Sequence, residues 1–153
     1  MKRVKITWPQ FIKDINFLAA NLGSTNIINV WGITDIVGIA RGGLFPAQLI
    51  AYKLGITRVH SFGVTYYKGE KKQIKPIIYQ NLPVTLKGKC VLVVDEICDS
   101  GDTFRLVEQK LKNRGVKTLI FVTVYKKGCG KFDKIKVWAK VFAEDEWIIL
   151  PTD

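Results

Sequence analysis

Apolar residues recur along the chain with two different periods, and the switching between them outlines alternating helices and strands. Phe11, Ile15, Leu18 and Leu22 return at helical spacing. Just before them, Thr7-Trp8-Pro9-Gln10 reads as a helix start. Thr7 is a capping hydroxyl, Pro9 is tolerated in the first turn, and Gln10 stands three residues beyond the cap. Gly23 stops the run. The segment from there to about Thr34 is ambiguous, because Ile27, Ile28 and Val30 suit either a short strand or a packed loop. Asp35–Ala40 has the pattern of a buried strand, followed by Arg41-Gly42-Gly43 and a helix from about Leu44 to Leu54.

Thr57–Val64 is a second strand candidate, with His60 inside it. A lone histidine there reads as a packed, hydrogen-bonded side chain rather than a catalyst. Tyr66–Lys75 is polar and turn-like, which predicts a mobile flap outside the sheet core. Lys89–Val94 is the clearest strand, continuously apolar as expected when both sheet faces are covered. Phe104, Val107 and Leu111 mark a helix over Phe104–Arg114 that Gly115 ends. Lys117–Val124 and Lys136–Val141 are further strand candidates, and Asp145–Pro151 joins an aromatic to a short aliphatic run. This alternation predicts an α/β fold with a mostly parallel central sheet flanked by helices.

Composition narrows the class. A length of 153 residues suits one domain, and a hydrophobic content of 48% is enough for a real core. No apolar run approaches the roughly 18 residues that a bilayer demands. The charged start, Met1–Lys5, is not followed by a secretion-type apolar stretch, so a cytoplasmic protein is expected. Cys90, Cys98 and Cys129 form no CxxC pair, which argues against a disulfide framework or a zinc site. The net charge of +11 favours either nucleic acid or polyphosphorylated small molecules as partners. Lys68, Lys71, Lys72 and Lys75 lie in one segment, whereas the other basic residues are scattered. With no finger, heptad or ribonucleoprotein motif, no specific nucleic-acid partner is expected.

The strongest chemical signal is Val91-Leu92-Val93-Val94-Asp95-Glu96-Ile97-Cys98-Asp99-Ser100-Gly101-Asp102-Thr103. Four apolar residues deliver two carboxylates to a strand end, and a compact loop then enters a helix. Such a loop points backbone N–H groups at a phosphate, and the helix N-terminus adds favourable potential. Gly101 permits tight geometry, and Ser100 and Thr103 carry hydroxyl donors. Asp95 and Glu96 would repel a phosphate and suit ribose hydroxyls or a hydrated magnesium ion better. Asp102 puts a further carboxylate in the loop, where it must turn outward. A second motif, Ile39-Ala40-Arg41-Gly42-Gly43-Leu44-Phe45-Pro46, sets a cation and two permissive glycines between strand and helix, a reasonable anion cradle.

The first motif resembles the signature of the type I phosphoribosyltransferases: an apolar strand, two acidic residues and a loop ending Asp-Thr/Ser-Gly-x-Thr. Within that family the chain is most similar to the small xanthine-guanine or 6-oxopurine enzymes, over about Asp35–Pro151. The resemblance implies a single phosphoribosyltransferase domain over residues 1–153, with a small hood drawn mainly from the C-terminal segment. It implies 5-phosphoribosyl-1-pyrophosphate (PRPP) and a purine base as substrates, Mg2+ as cofactor and a homo-oligomeric state. Asp95, Glu96, Asp99, Ser100, Gly101, Asp102 and Thr103 would then bind ribose and phosphate, with Glu96 and Asp95 on the metal. Ala40, Arg41 and Gly42 would meet pyrophosphate, through a non-proline cis bond before the arginine. Lys71 and Lys72 would close over it.

The base site follows by the same likeness. Val122–Gly128 resembles the segment whose lysine donates to the purine 6-oxo group. The Gly128-Cys129-Gly130 turn favours Lys127 over Lys126. Trp147 matches the aromatic that stacks on the base, and the backbone carbonyl after it, at Ile148, would read the 2-position. Asp99 is the candidate general base or proton relay, or else an organiser of its loop through local backbone hydrogen bonds. Trp8, Trp31 and Trp138 carry no such likeness and read as core or interface residues. Two other functions remain open: an RNA- or DNA-binding regulator built on the same fold, and transfer to a pyrimidine base.

Overall fold

The Thr7 hydroxyl accepts a hydrogen bond from the Gln10 N–H and opens helix α1 (Trp8–Ser24). One face of α1 is buried through Phe11, Ile15, Leu18 and Leu22, each side chain stabilising the fold by about 1.5–3 kcal/mol. The computed structural model describes residues 1–68, 71–127 and 132–153, and of residues 67, 68, 71 and 72 the backbone alone. Before α1 stands β1 (Lys2–Lys5). After it come α2 (Ile27–Trp31), β2 (Asp35–Ala40), α3 (Leu44–Leu54), β3 (Arg58–Lys68) and β4 (Lys71–Gln80). The chain continues with β5 (Cys90–Cys98), α4 (Asp102–Asn113), β6 (Thr118–Lys127), β7 (Ile135–Phe142) and β8 (Glu146–Ile149).

Six strands form the central sheet in the order β4-β3-β2-β5-β6-β7, parallel except where β4 returns antiparallel to β3. Alternate residues of β2 and β5 feed two cores. Ile36, Leu92 and Val94 join α1 and α3 on one face, while Val37, Ile39, Val91 and Val93 join α4 on the other. Coverage on both faces is why these strands read as unbroken apolar runs.

Three segments differ from the sequence expectation. The ambiguous stretch after Gly23 is the one-turn helix α2, bracketed by left-handed Asn26 and Gly32; only Ile27 of it is buried. Where Tyr66–Lys75 was expected to be a turn-like flap, its described residues belong to strands β3 and β4, with Thr65 opposite Ile77 and Lys68 opposite Lys71. Lysines on a sheet edge discourage pairing with other chains, so this composition imitates a turn. The charged first residues form β1, which pairs in parallel with β8, Arg3 opposite Trp147, and adds a 2.9 Å Lys2–Glu146 ion pair. Among the described residues, no helix is long and apolar enough to cross a membrane.

Candidate functional site at the C-terminal ends of the strands

Strands β2 and β5 run side by side, Asp35 to Gly38 opposite Val91 to Val94. Their continuations therefore emerge at the same edge of the sheet, where open α/β folds place ligands. From β2 comes the Ala40–Gly43 turn. Its Ala40–Arg41 peptide bond is cis, the Gly43 N–H donates to the Ile39 carbonyl at 2.8 Å, and the Tyr79 hydroxyl donates to the Ala40 carbonyl at 3.0 Å. From β5 come Asp95 and Glu96. The two pieces interlock, since a Cβ at position 42 would fall inside the Glu96 carboxylate. Glycine is required there by contact.

A cleft of about 510 Å³ opens between them, lined by Arg41, Gly42, Asp95, Glu96 and Thr103, with Thr152 and Asp153 at its margin. Asp153 is held by the Leu150 N–H, which donates to Oδ2 at 2.8 Å. Asp95 is buried, and its Oδ1 accepts the Glu96 N–H at 2.9 Å. Burial, and then the neighbouring Glu96 charge, push its carboxyl well above the usual carboxylate range. Glu96 Oε2 is buried and has no hydrogen-bond partner among the described residues. An orphaned carboxylate oxygen beside a carboxyl that resists ionisation is what a missing cation would explain. The all-oxygen donor set fits a hard divalent ion. Among the described residues no cluster of three or more acidic, histidine or cysteine groups cages an ion.

The adjoining loop builds a second cavity, of about 230 Å³, lined by Asp99, Ser100, Gly101, Asp102, Thr103 and, from β3, Tyr66. Gly101 is left-handed at φ 79°, and the space a side chain there would need is filled by Phe132. Helix α4 begins at Asp102, and its first turn closes with the Arg105 N–H donating to the Gly101 carbonyl at 3.0 Å. The N–H groups of Thr103 and Phe104 precede that bond and lack intrahelical acceptors, which gives the loop its anion-binding character. Thr103 lines both cavities and joins them. The Ser100 hydroxyl donates at 2.7 Å to Asp102 Oδ2. The Asp102 carboxylate is paired with Arg105.

Lys127 reaches the same loop, its ammonium 3.9 Å from Asp99, whereas Lys126 lies over the Trp138 ring, 4.8 Å from the centroid. Geometry thus separates the two lysines that sequence spacing left close. Trp147 on β8 is half exposed and lines neither cavity, and Ile148 beside it is buried. Trp8, Trp31 and Trp138 are all partly exposed rather than core. The side chains of Lys71 and Lys72, and the Gly128-Cys129-Gly130 turn, lie outside the described residues. Sequence reasoning missed Tyr66, Tyr79, Arg105 and Asp153. For Arg105 a signal existed: it stands one turn after Asp102, at the spacing of a helical ion pair. For Tyr79, which arrives from the hairpin, there was none.

Comparison with known proteins supplies the context. Residues 6–153 match the family model for the phosphoribosyl transferase domain. The xanthine-guanine phosphoribosyltransferase of Gluconobacter oxydans is 32% identical over 149 residues, 97% of this chain and 83% of that protein. The protein of the same name from Cereibacter sphaeroides is 30% identical over 154 residues, 99% of this chain and 87% of its own. Among solved structures, the purine phosphoribosyltransferase of Pyrococcus horikoshii superposes with a TM-score of 0.77 at 31% identity. That match covers 99% of this chain and 94% of the other.

Proposed function

The chain belongs to the phosphoribosyl transferase domain family, and from that premise we propose that it moves phosphoribose from PRPP to a 6-oxopurine, releasing pyrophosphate. The observation that carries the reading is the junction of two cavities at Thr103, one lined by the Asp99–Thr103 loop and one by Arg41, Asp95 and Glu96. A sugar phosphate bridging them would put its 5′-phosphate on the loop and its pyrophosphate beside Arg41.

As the C1–O bond breaks, positive charge develops on the ribose and negative charge on pyrophosphate. Arg41 stabilises the second, a role the family resemblance extends to Lys71 and Lys72, while Asp95 and Glu96 orient the ribose. Glu96 and Asp95 would hold Mg2+, which when bound would neutralise charge on the leaving group. Asp99 accepts the proton from the incoming ring nitrogen, and Lys127 beside it donates to the 6-oxo group. Trp147 stacks on the base, and the Ile148 carbonyl reads its 2-position. The protein works in the cytoplasm as a homo-oligomer, which analytical ultracentrifugation tests directly: a monomer at working concentration would reject it.

The deciding experiment incubates the protein with PRPP and, in turn, guanine, xanthine, hypoxanthine, adenine, orotate and uracil, with and without Mg2+. Nucleotide and pyrophosphate should appear together, only with a 6-oxopurine and only with the metal. Turnover confined to orotate or uracil would overturn the base assignment. No turnover despite tight PRPP binding would point to a regulator. The +11 charge makes RNA or DNA the partner to try in that case, with sequence-selective, salt-sensitive binding as the supporting result.

A further inference from the structure

The phosphate loop contains an acid where a dianion is expected to bind. Asp102 lines the same cavity as Ser100, Gly101 and Thr103. A carboxylate about 5 Å from a phosphomonoester dianion weakens binding by about tenfold even in water-like surroundings. The loop answers this internally. One guanidinium nitrogen of Arg105 bonds to Asp102 Oδ1 and, at 3.2 Å, to the Ser100 carbonyl. The Ser100 hydroxyl donates to the other carboxylate oxygen, Oδ2, at 2.7 Å. Both Asp102 oxygens are therefore engaged, and Arg105 ties the residue before Gly101 to the residue after it.

Resting on the sugar-phosphate reading of this loop, we propose that Arg105 is a positioning residue for the 5′-phosphate. It neutralises and holds the Asp102 carboxylate, so that the phosphate meets backbone N–H groups and the Thr103 hydroxyl rather than an unpaired anion. Ser100 completes the device as a donor to Asp102 and not as a phosphate ligand. The pair is roughly 40% exposed on each side (41% and 39%). Such pairs contribute little to fold stability. Its worth is in anion affinity, and the two effects can be measured apart.

The test is a double-mutant cycle of Arg105→Ala and Asp102→Asn, read by calorimetric binding of PRPP, ribose 5-phosphate and inorganic pyrophosphate, with steady-state kinetics and thermal unfolding alongside. Arg105→Ala should weaken both sugar phosphates about tenfold and raise the PRPP KM to match, with kcat at saturation and the unfolding midpoint little changed. Pyrophosphate, whose cradle is the Arg41 turn, should bind as before. Asp102→Asn in the Arg105→Ala background should restore most of the lost affinity, since the charge that needed holding is gone. Asp102→Asn alone should bind ribose 5-phosphate more tightly than the native protein. Failure of the second substitution to rescue would overturn the inference, as would equal losses for pyrophosphate. If Arg105→Ala does not fold, the single Asp102→Asn variant still decides, and unchanged or weaker binding there rejects the idea. A native protein that binds neither sugar phosphate would reject the proposed function and this inference with it, whereas native binding with failed rescue rejects this inference alone.

Discussion

Two aspartates buried on neighbouring parallel strands, one at a strand start and one toward a strand end, meet opposite fates. Asp35, at the start of β2, has a side chain only 3% exposed. It collects the Thr34 hydroxyl at 2.6 Å, His60 Nε2 at 2.8 Å and Arg58 Nε at 3.1 Å. Burial alone would raise its pKa, but hydrogen bonds from Thr34, His60 and Arg58 outweigh burial and lower it. Asp95, toward the end of β5, is buried, accepts the Glu96 N–H and faces a second carboxylate; burial first, and then the Glu96 charge, raise its pKa. A carboxylate that the protein satisfies by itself serves the fold. One left short of donors and set beside another acid is arranged for something the chain does not contain.

The comparison can be broken at either end. The largest effect belongs to the open end: Asp99→Asn should lower kcat about 100- to 10,000-fold if Asp99 takes the purine proton, with PRPP affinity much less affected. Equal losses in kcat and PRPP binding would make it a loop organiser. Asp95→Asn comes next, with turnover falling about 10- to 100-fold. The same variant should unfold at a higher temperature than the native protein, because a repulsion against Glu96 is gone and function was what it served. A destabilised Asp95→Asn protein would erase the distinction drawn between the two ends.

At the closed end the signs reverse. Asp35→Asn should cost about 1–3 kcal/mol of stability by removing a buried charged acceptor, while the folded fraction keeps its turnover. Urea denaturation and specific activity measured together check both halves. The same variant sharpens the electrostatics. Because folding lowers the Asp35 pKa, its contribution is present above its ordinary value and is lost as pH falls through the folded-state value. The stability gap between native and variant proteins should therefore narrow only in acid, below the usual carboxylate range, and stay constant near neutrality. The smallest effect is expected from His60→Ala, about 0.5–1.5 kcal/mol, the worth of one hydrogen bond, with unaltered kinetics. A kinetic defect there would restore the histidine as a functional residue.

Much of this was legible before any coordinates, and the legible parts share a property. Asp35–Ala40 and Leu44–Leu54 were read to the residue, because a doubly covered strand and a helix stopped by glycine carry their period locally. The loop from Asp99 to Thr103 was legible because a chemical order, acids and then glycine and hydroxyls, is itself a sequence property. The hairpin was misread because its polar residues leave no continuous apolar run, and lysines on the edge strand β4 look by composition like a turn. The strand β1 went unseen for a similar reason: four largely exposed residues become a strand only because β8 lies beside them.

Sequence alone determined the alternation of buried strands and helices and the two glycine-containing turns at their ends, since each is written in contiguous residues. Tertiary structure decided what lies between distant segments. It set Gly42 against Glu96, sent Lys127 rather than Lys126 toward Asp99, and gave Asp35 three donors while leaving Glu96 Oε2 with none among the described residues. The physical reason is that solvation and charge balance belong to a place in space, and the neighbours that define that place are far apart along the chain.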